Sequence, residues 1–163
     1  KQLVYNDALA DYVAEGRSQT HGVELELEGS WDNGIRARTS AAFQHAHDVN
    51  GDDLVNSPNV LGKLNISFPL PGNTIRTGIE AQYIGPRLTL ARRELGGVTL
   101  ANLTFSSERK WYGLSAILSI KNLFDREYEV ASPFDWPSPV TGAAQDALRM
   151  DGRTYWFQLN YDF

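Results

Sequence analysis

The stretch Gly152-Arg153-Thr154-Tyr155-Trp156-Phe157-Gln158-Leu159-Asn160-Tyr161-Asp162-Phe163 alternates in character along its length. Tyr155, Phe157, Leu159, Tyr161 and Phe163 fall on the odd positions, and Thr154, Trp156, Gln158, Asn160 and Asp162 on the even ones. Side chains alternate across a β-strand, so this is a long strand with one apolar, aromatic face and one mostly polar face. A strand that ends on an aromatic residue suits a transmembrane β-barrel, whose aromatic residues sit in the membrane interface.

The same alternation recurs upstream. Val23, Leu25 and Leu27 alternate with Glu24, Glu26 and Glu28 as far as Trp31, and Asp32-Asn33-Gly34 then supplies a turn. The next strand, about residues 35–45, sets Ile35, Ala37, Ala41 and Phe43 against Arg36, Arg38 and Gln44. Pairing across the turn places Trp31 opposite Ile35 and Glu28 opposite Arg38, an opposite-charge pair on the polar face. Leu64, Ile66, Phe68 and Leu70 lead through Pro71-Gly72-Asn73-Thr74 into Ile75, Ile79, Ala81 and Tyr83. Here Leu70 pairs with Ile75, Leu64 with Ala81 and Lys63 with Gln82. A third hairpin joins about 98–107 to 111–123 through a tight turn near Glu108-Arg109, with Leu103 and Phe105 expected to face Leu114 and Tyr112. Seven strong strands result, with a further, shortened one at about 1–5.

Longer polar segments, about 6–19, 46–59, 86–97 and 122–151, separate the hairpins. Short turns therefore fall at one end of the sheet and long loops at the other. That is the plan of outer-membrane barrels, with periplasmic turns and extracellular loops, and it puts Phe163 on the periplasmic side. The expected strands, about 10–12 residues, are twice the usual soluble mean and near membrane-spanning length. The fold class expected is all-β, an antiparallel up-and-down transmembrane barrel of about eight strands. A soluble antiparallel sandwich would also alternate and is the competing architecture.

Composition narrows the function classes. The 163 residues include 14 Gly, 7 Tyr, 7 Phe and 4 Trp but no Cys, which excludes disulfides and thiolate metal sites. A net charge of -5 argues against a general nucleic-acid binder. There is no apolar run of transmembrane-helix length, and the export signal that a barrel needs is expected either to have been removed or to belong to a longer chain of which these residues are a piece. Mean hydropathy is slightly negative, as expected where alternate residues face lipid. The sequence carries no Gly-rich phosphate loop, HExxH or GxSxG, so it is expected not to be an enzyme and to need no cofactor.

Several segments resemble the TonB-dependent outer-membrane receptors. His21-Gly22-Val23-Glu24-Leu25-Glu26-Leu27 after Gly16-Arg17-Ser18 is similar to their GxExE strand, and Tyr83-Ile84-Gly85-Pro86-Arg87 to their Y-x-G-x-R strand end. Lys121-Asn122-Leu123-Phe124-Asp125-Arg126-Glu127-Tyr128 resembles their NLFDxxY segment, and the aromatic last strand completes the set. Order and spacing match the last third of such a receptor across residues 1–163. The resemblance implies a plugged barrel of about 22 strands that takes up ferric siderophores, cobalamin, haem or another scarce nutrient. It implies that residues 1–163 are the C-terminal part of the barrel and that the plug domain, which precedes it and carries the energy-coupling box, lies outside them. The implied partners are outer-membrane lipid, the rest of the barrel and plug, the barrel-assembly machinery, and TonB through the plug. Phe163 would be part of the assembly signal; the alternative is an interfacial girdle residue. A self-contained small barrel with a structural or adhesive role, and a soluble sandwich binding module, are the alternative functions.

Candidate sites fall in the loops. Arg87, Arg92 and Arg93 suit an anionic ligand or lipopolysaccharide, or else form a solvated charged loop. Tyr128, Phe134 and Trp136, among Pro133, Pro137 and Pro139, could stack a ligand or pack on their own loop. Asp48, Asn50 and Asp52 alternate like the start of a calcium loop, but position twelve is Asn59, so a solvated Asx turn is favoured over a metal site. His45 and His47 point the same way along a strand and could share a metal, but no third ligand stands near them in sequence. The alternating Glu24, Glu26, Glu28, Arg36, Arg38 and Glu80 read as a lumen wall.

Overall fold

A computed structural model describes the backbone at 2–6 and 11–15, and residues 17–108, 111–132, 142 and 145–162 in full. These residues hold thirteen β-strands and no helix. They are β1 (Gln2–Asn6), β2 (Asp11–Glu15), β3 (Ser18–Ser30), β4 (Arg36–Asp48), β5 (Val60–Pro69), β6 (Ile75–Ile84), β7 (Arg87–Leu88), β8 (Glu94–Leu95), β9 (Val98–Ser107), β10 (Leu114–Lys121), β11 (Glu129–Ala131), β12 (Ala147–Arg149) and β13 (Thr154–Tyr161). Seven long strands form one antiparallel meander in the order β13-β10-β9-β6-β5-β4-β3. It is open, with β3 and β13 at its edges and no ladder joining them among the described residues.

The first two hairpins adopt the expected registers. Glu28 faces Arg38, and Leu64 faces Ala81. At the first turn the N–H of Trp31 donates to the carbonyl of Ile35 at 2.9 Å, and the N–H of Gly34 to that of Trp31 at 2.9 Å. At the second the N–H of Leu70 donates to Ile75 at 2.7 Å. The guanidinium of Arg38, however, turns from Glu28 to the diagonal Glu26, at 2.9 Å. A diagonal partner lies within reach of a side chain as long as arginine.

The third hairpin departs from expectation. Leu103 faces Ile120 and Phe105 faces Leu118, six residues further along β10 than the expected Leu114 and Tyr112. The reason is a tight turn at Tyr112-Gly113; Arg109, expected in the turn of this hairpin, lies outside the described residues. The N–H of Trp111 donates to the carbonyl of Leu114 at 2.8 Å, and the N–H of Leu114 returns to Trp111 at 2.9 Å. Tyr112 at φ 50° and Gly113 at φ 82° supply the paired left-handed residues that such a turn requires. The chain thus spends residues 108–113 before β10 starts. The slip is an even number of residues, so every side chain keeps its face.

Three loops contain short strands that alternation could not reveal. β7 pairs with β8, and β11 with β12, in two-stranded ladders within the loops after β6 and β10. β2 lies in the segment expected to be a loop and pairs with β1.

Register carries one face across the whole meander. Val23, Phe43, Val60, Ile66, Ile79, Leu103, Leu118 and Phe157 follow one another through the ladders. The opposite face holds Glu24, Glu26, Arg36, Arg38, Glu80, Gln82, Asn102 and Gln158. On the apolar face Leu25 is 61% exposed, Leu27 72% and Phe157 65%. Among the described residues the buried apolar ones, Ala46, Leu95, Val98 and Ala147, lie near strand ends and in loops rather than under this face. A sheet that leaves its apolar side bare at this scale needs lipid or a partner to cover it. The seven long strands lie in one sheet, so the face-to-face packing of two sheets that defines a sandwich is not the arrangement they adopt.

Candidate functional site

All long connections leave the same end of the sheet, and three of them are tied together there. The buried Thr89 donates its hydroxyl to Asp146 Oδ2 at 2.9 Å. Arg93 meets the same carboxylate, Nε to Oδ2 at 3.2 Å and Nη2 to Oδ1 at 3.1 Å, and reaches Glu129 Oε2 with Nη1 at 3.0 Å. Arg87, 6% exposed, donates Nη2 to the carbonyl of Glu129 at 2.9 Å. These bonds join the β6–β9 loop to the β10–β13 loop. Arg92 donates Nη1 to the carbonyl of Asp53 at 2.7 Å, and the N–H of Asn56 donates to Leu88 at 2.8 Å, so the β4–β5 loop joins as well.

Electrostatics follows the geometry. The Arg93 guanidinium, and then the Thr89 hydroxyl, hold the Asp146 carboxyl below the usual carboxylate range. Arg93 is raised above its ordinary value, first by Asp146 and then by Glu129. The three arginines expected as anion ligands are therefore engaged in fastening the loops. Arg87 retains one buried Nη1 without a partner.

The NLFDREY segment builds the base of the longest loop. Asn122, buried at φ 50°, donates Nδ2 to the carbonyl of Arg126 at 2.8 Å and accepts its N–H at 2.9 Å. Asp125 Oδ1 accepts the N–H of Arg153 at 2.7 Å, which fixes where β13 begins. Asparagine suits this corner because it tolerates the left-handed region and offers both donor and acceptor. At Tyr83-Ile84-Gly85-Pro86-Arg87, Gly85 lets β6 close on β5: a Cβ there would lie 2.9 Å from the Val60 carbonyl oxygen.

Above this base lies a cleft of about 550 Å³, lined by Arg93, Glu94, Thr99, Arg126, Tyr128 and Glu129 among others. Tyr128, expected from sequence as a stacking residue, is here. Arg126 and Glu94 were not singled out in sequence; among the described residues their charged ends make no hydrogen bond or ion pair, so they remain available to a ligand. The signal for Arg126 was its place in NLFDREY, directly after Asp125, with its own backbone bonded to Asn122. Phe134, Trp136 and Phe163 lie outside the described residues.

Asp48 takes the turn role. Its Oδ1 accepts the N–H of Asn50 at 2.8 Å and of Asp52 at 3.0 Å, the pattern of an Asx turn. Among the described residues no three His, Cys, Asp or Glu already converge about a metal position.

The long-stranded open meander, its bare apolar face and its one-sided loops define a segment of a large β-barrel wall. Solved structures of receptor barrels carry the same fold. The ferripyoverdine receptor of the outer membrane of Pseudomonas aeruginosa matches 97% of this chain at 20% identity, with a TM-score of 0.71. The ferric-catecholate import receptor Fiu from K12 E. coli matches 99% at 20% identity and 0.71. The copper transporter OprC matches 90% at 16% identity and 0.68. The chain spans 21%, 23% and 24% of their respective lengths. No protein-family model matches the chain, and no curated protein sequence is similar to it.

Proposed function

We propose that this chain is part of the barrel wall of a bacterial outer-membrane receptor of the TonB-dependent class, which takes up a ferric siderophore or a similarly scarce nutrient. The observation that carries this reading is the seven-strand meander with one bare apolar face and all long loops at one end. The fold shared with the ferripyoverdine and ferric-catecholate receptors supports it. In this reading residues 1–163 are the C-terminal part of the barrel, the apolar face meets outer-membrane lipid, and the loop cleft faces outside. The rest of the barrel continues from the sheet's open edges, and TonB acts through a plug formed elsewhere in the polypeptide. The open sheet favours this over a self-contained small barrel, which would pair its first and last strands. Ligand contact is assigned to Arg126, Glu94 and Tyr128 in the cleft, with Phe134 and Trp136 retained from the sequence.

The test is uptake of ⁵⁵Fe-loaded siderophores by iron-starved cells with and without the gene, and with and without TonB. One siderophore should lose uptake in both deletions. Recovery of the protein in the soluble fraction, without detergent, contradicts the reading. Phe163 is proposed as part of the assembly signal, by analogy with other barrels. Its deletion should lower the heat-modifiable, assembled fraction; normal assembly leaves it an interfacial residue.

A further inference from the structure

The chain has three histidines, His21, His45 and His47, and the sheet gathers all of them. His21 on β3 stands directly opposite His45 on β4, and His47 lies two residues on, on the same outward face at the loop end. Ring centroids are 5.5 Å apart for His45 and His47 and 6.1 Å for His21 and His47. Asp53 approaches from the β4–β5 loop: its Oδ1 is 3.8 Å from His45 Nε2, and it forms a backbone bridge with His47. His47 Nδ1 is buried with no hydrogen-bond partner. The same side chain borders an open cleft of about 480 Å³ beside the 48–51 turn, which gives an aqueous ion a way in.

We propose that His21, His45 and His47, with Asp53 beside them, bind a divalent transition-metal ion, of the Zn²⁺, Cu²⁺ or Ni²⁺ class, on the outer rim of the sheet. Imidazole nitrogen is a preferred donor for these ions. With metal–nitrogen bonds of ~2.05 Å and tetrahedral angles, two bound imidazole centroids stand about 5.2 Å apart. The His45–His47 and His21–His47 rings are within ~1 Å of that spacing; as they stand the side chains do not enclose a metal position, and rotamer changes are required to turn their nitrogens onto one ion. Binding would give the orphaned His47 nitrogen a partner. Asp53 serves either as the fourth ligand or as the carboxylate that orients His45. The site rests on the β3–β4 register and not on the uptake reading, and it lies away from the loop cleft.

The experiment is Cu²⁺ titration of the full-length protein, purified in detergent without a polyhistidine tag. Electron paramagnetic resonance counts the coupled nitrogens. The wild type should bind one Cu²⁺ more than the H21N/H45N/H47N triple variant, and the difference spectrum should show three imidazole nitrogens. His21→Gln and His47→Gln should each weaken that site by about tenfold or more. Equal stoichiometry in wild type and triple variant overturns the proposal. So does a difference signal from two nitrogens or fewer, or a His21→Gln protein that binds as wild type. Heat-modifiable mobility checks assembly; if the triple variant fails to assemble, the nitrogen count of the wild type and its change in His21→Gln decide alone.

Discussion

Single residues in this chain divide by the face or loop they occupy, and that sets the cost of changing them. Leu25 is mid-strand on the bare apolar face and Gln82 is on the polar face. Leu25→Arg in the membrane-inserted protein should cost roughly 2–4 kcal/mol, as a cation near mid-bilayer does, and Gln82→Arg close to nothing. Denaturant midpoints of the two variants in lipid vesicles check this. Asp146 is the common acceptor of Thr89 and Arg93 and links two loops. Because its carboxyl is held below the usual range by Arg93 and then Thr89, its stabilising contribution is complete above the ordinary value, about 4. It is lost as pH falls through the depressed folded value. Hydrogen-exchange protection factors around Thr89 and Ser132, taken against the intrinsic rate at each pH, should therefore be high at neutral pH and fall below about pH 4. In Asp146→Asn they should be low at both, and unchanged protection in that variant would remove the clasp.

At the scale of elements, turns decide register. The turn before β10 needs two left-handed residues in succession, and Gly113 also packs where a Cβ would meet the Asp162 carbonyl oxygen and the Tyr161 ring. Gly113→Val should destabilise the β9–β10–β13 unit by about 1–2 kcal/mol from backbone strain alone. The drop in unfolding midpoint measures it, while Gly51→Val, whose position has open space but the same φ sign, separates strain from contact. This turn also marks where sequence reading stopped. Asp32–Gly34 and Pro71–Thr74 are short and sit between strands of matching parity, so one register satisfies both faces. The segment 108–113 allows several even slips that satisfy the faces equally, and only the hydrogen bonds of Trp111 and Leu114 choose among them. β7, β8, β11 and β12 are too short to show a period. The site was legible in part for the same reason. Tyr128 could be named from its type, whereas the engagement of Arg93 with Asp146 joins residues 53 apart in different loops. His21 was within reach, since pairing Glu28 with Arg38 already sets it opposite His45.

For the whole molecule, one sheet with two chemically distinct faces has to be placed between two environments. In the proposed placement the apolar face, continuous from Val23 to Phe157, meets lipid, the face of Glu24, Arg38 and Glu80 looks into the barrel, and the tied loops stand at one end. The sheet supplies little core of its own, so its stability is expected to depend on its neighbours in the barrel and on the bilayer. Oxygen and nickel-chelate collision rates of nitroxide labels placed singly at residues 23 to 28, in the membrane-inserted protein, test this placement most directly. A period of two is expected: labels at 23, 25 and 27 collide with lipid-soluble oxygen and are shielded from the aqueous chelate, and labels at 24, 26 and 28 do the reverse. Equal chelate access at all six positions, or a period other than two, would contradict it.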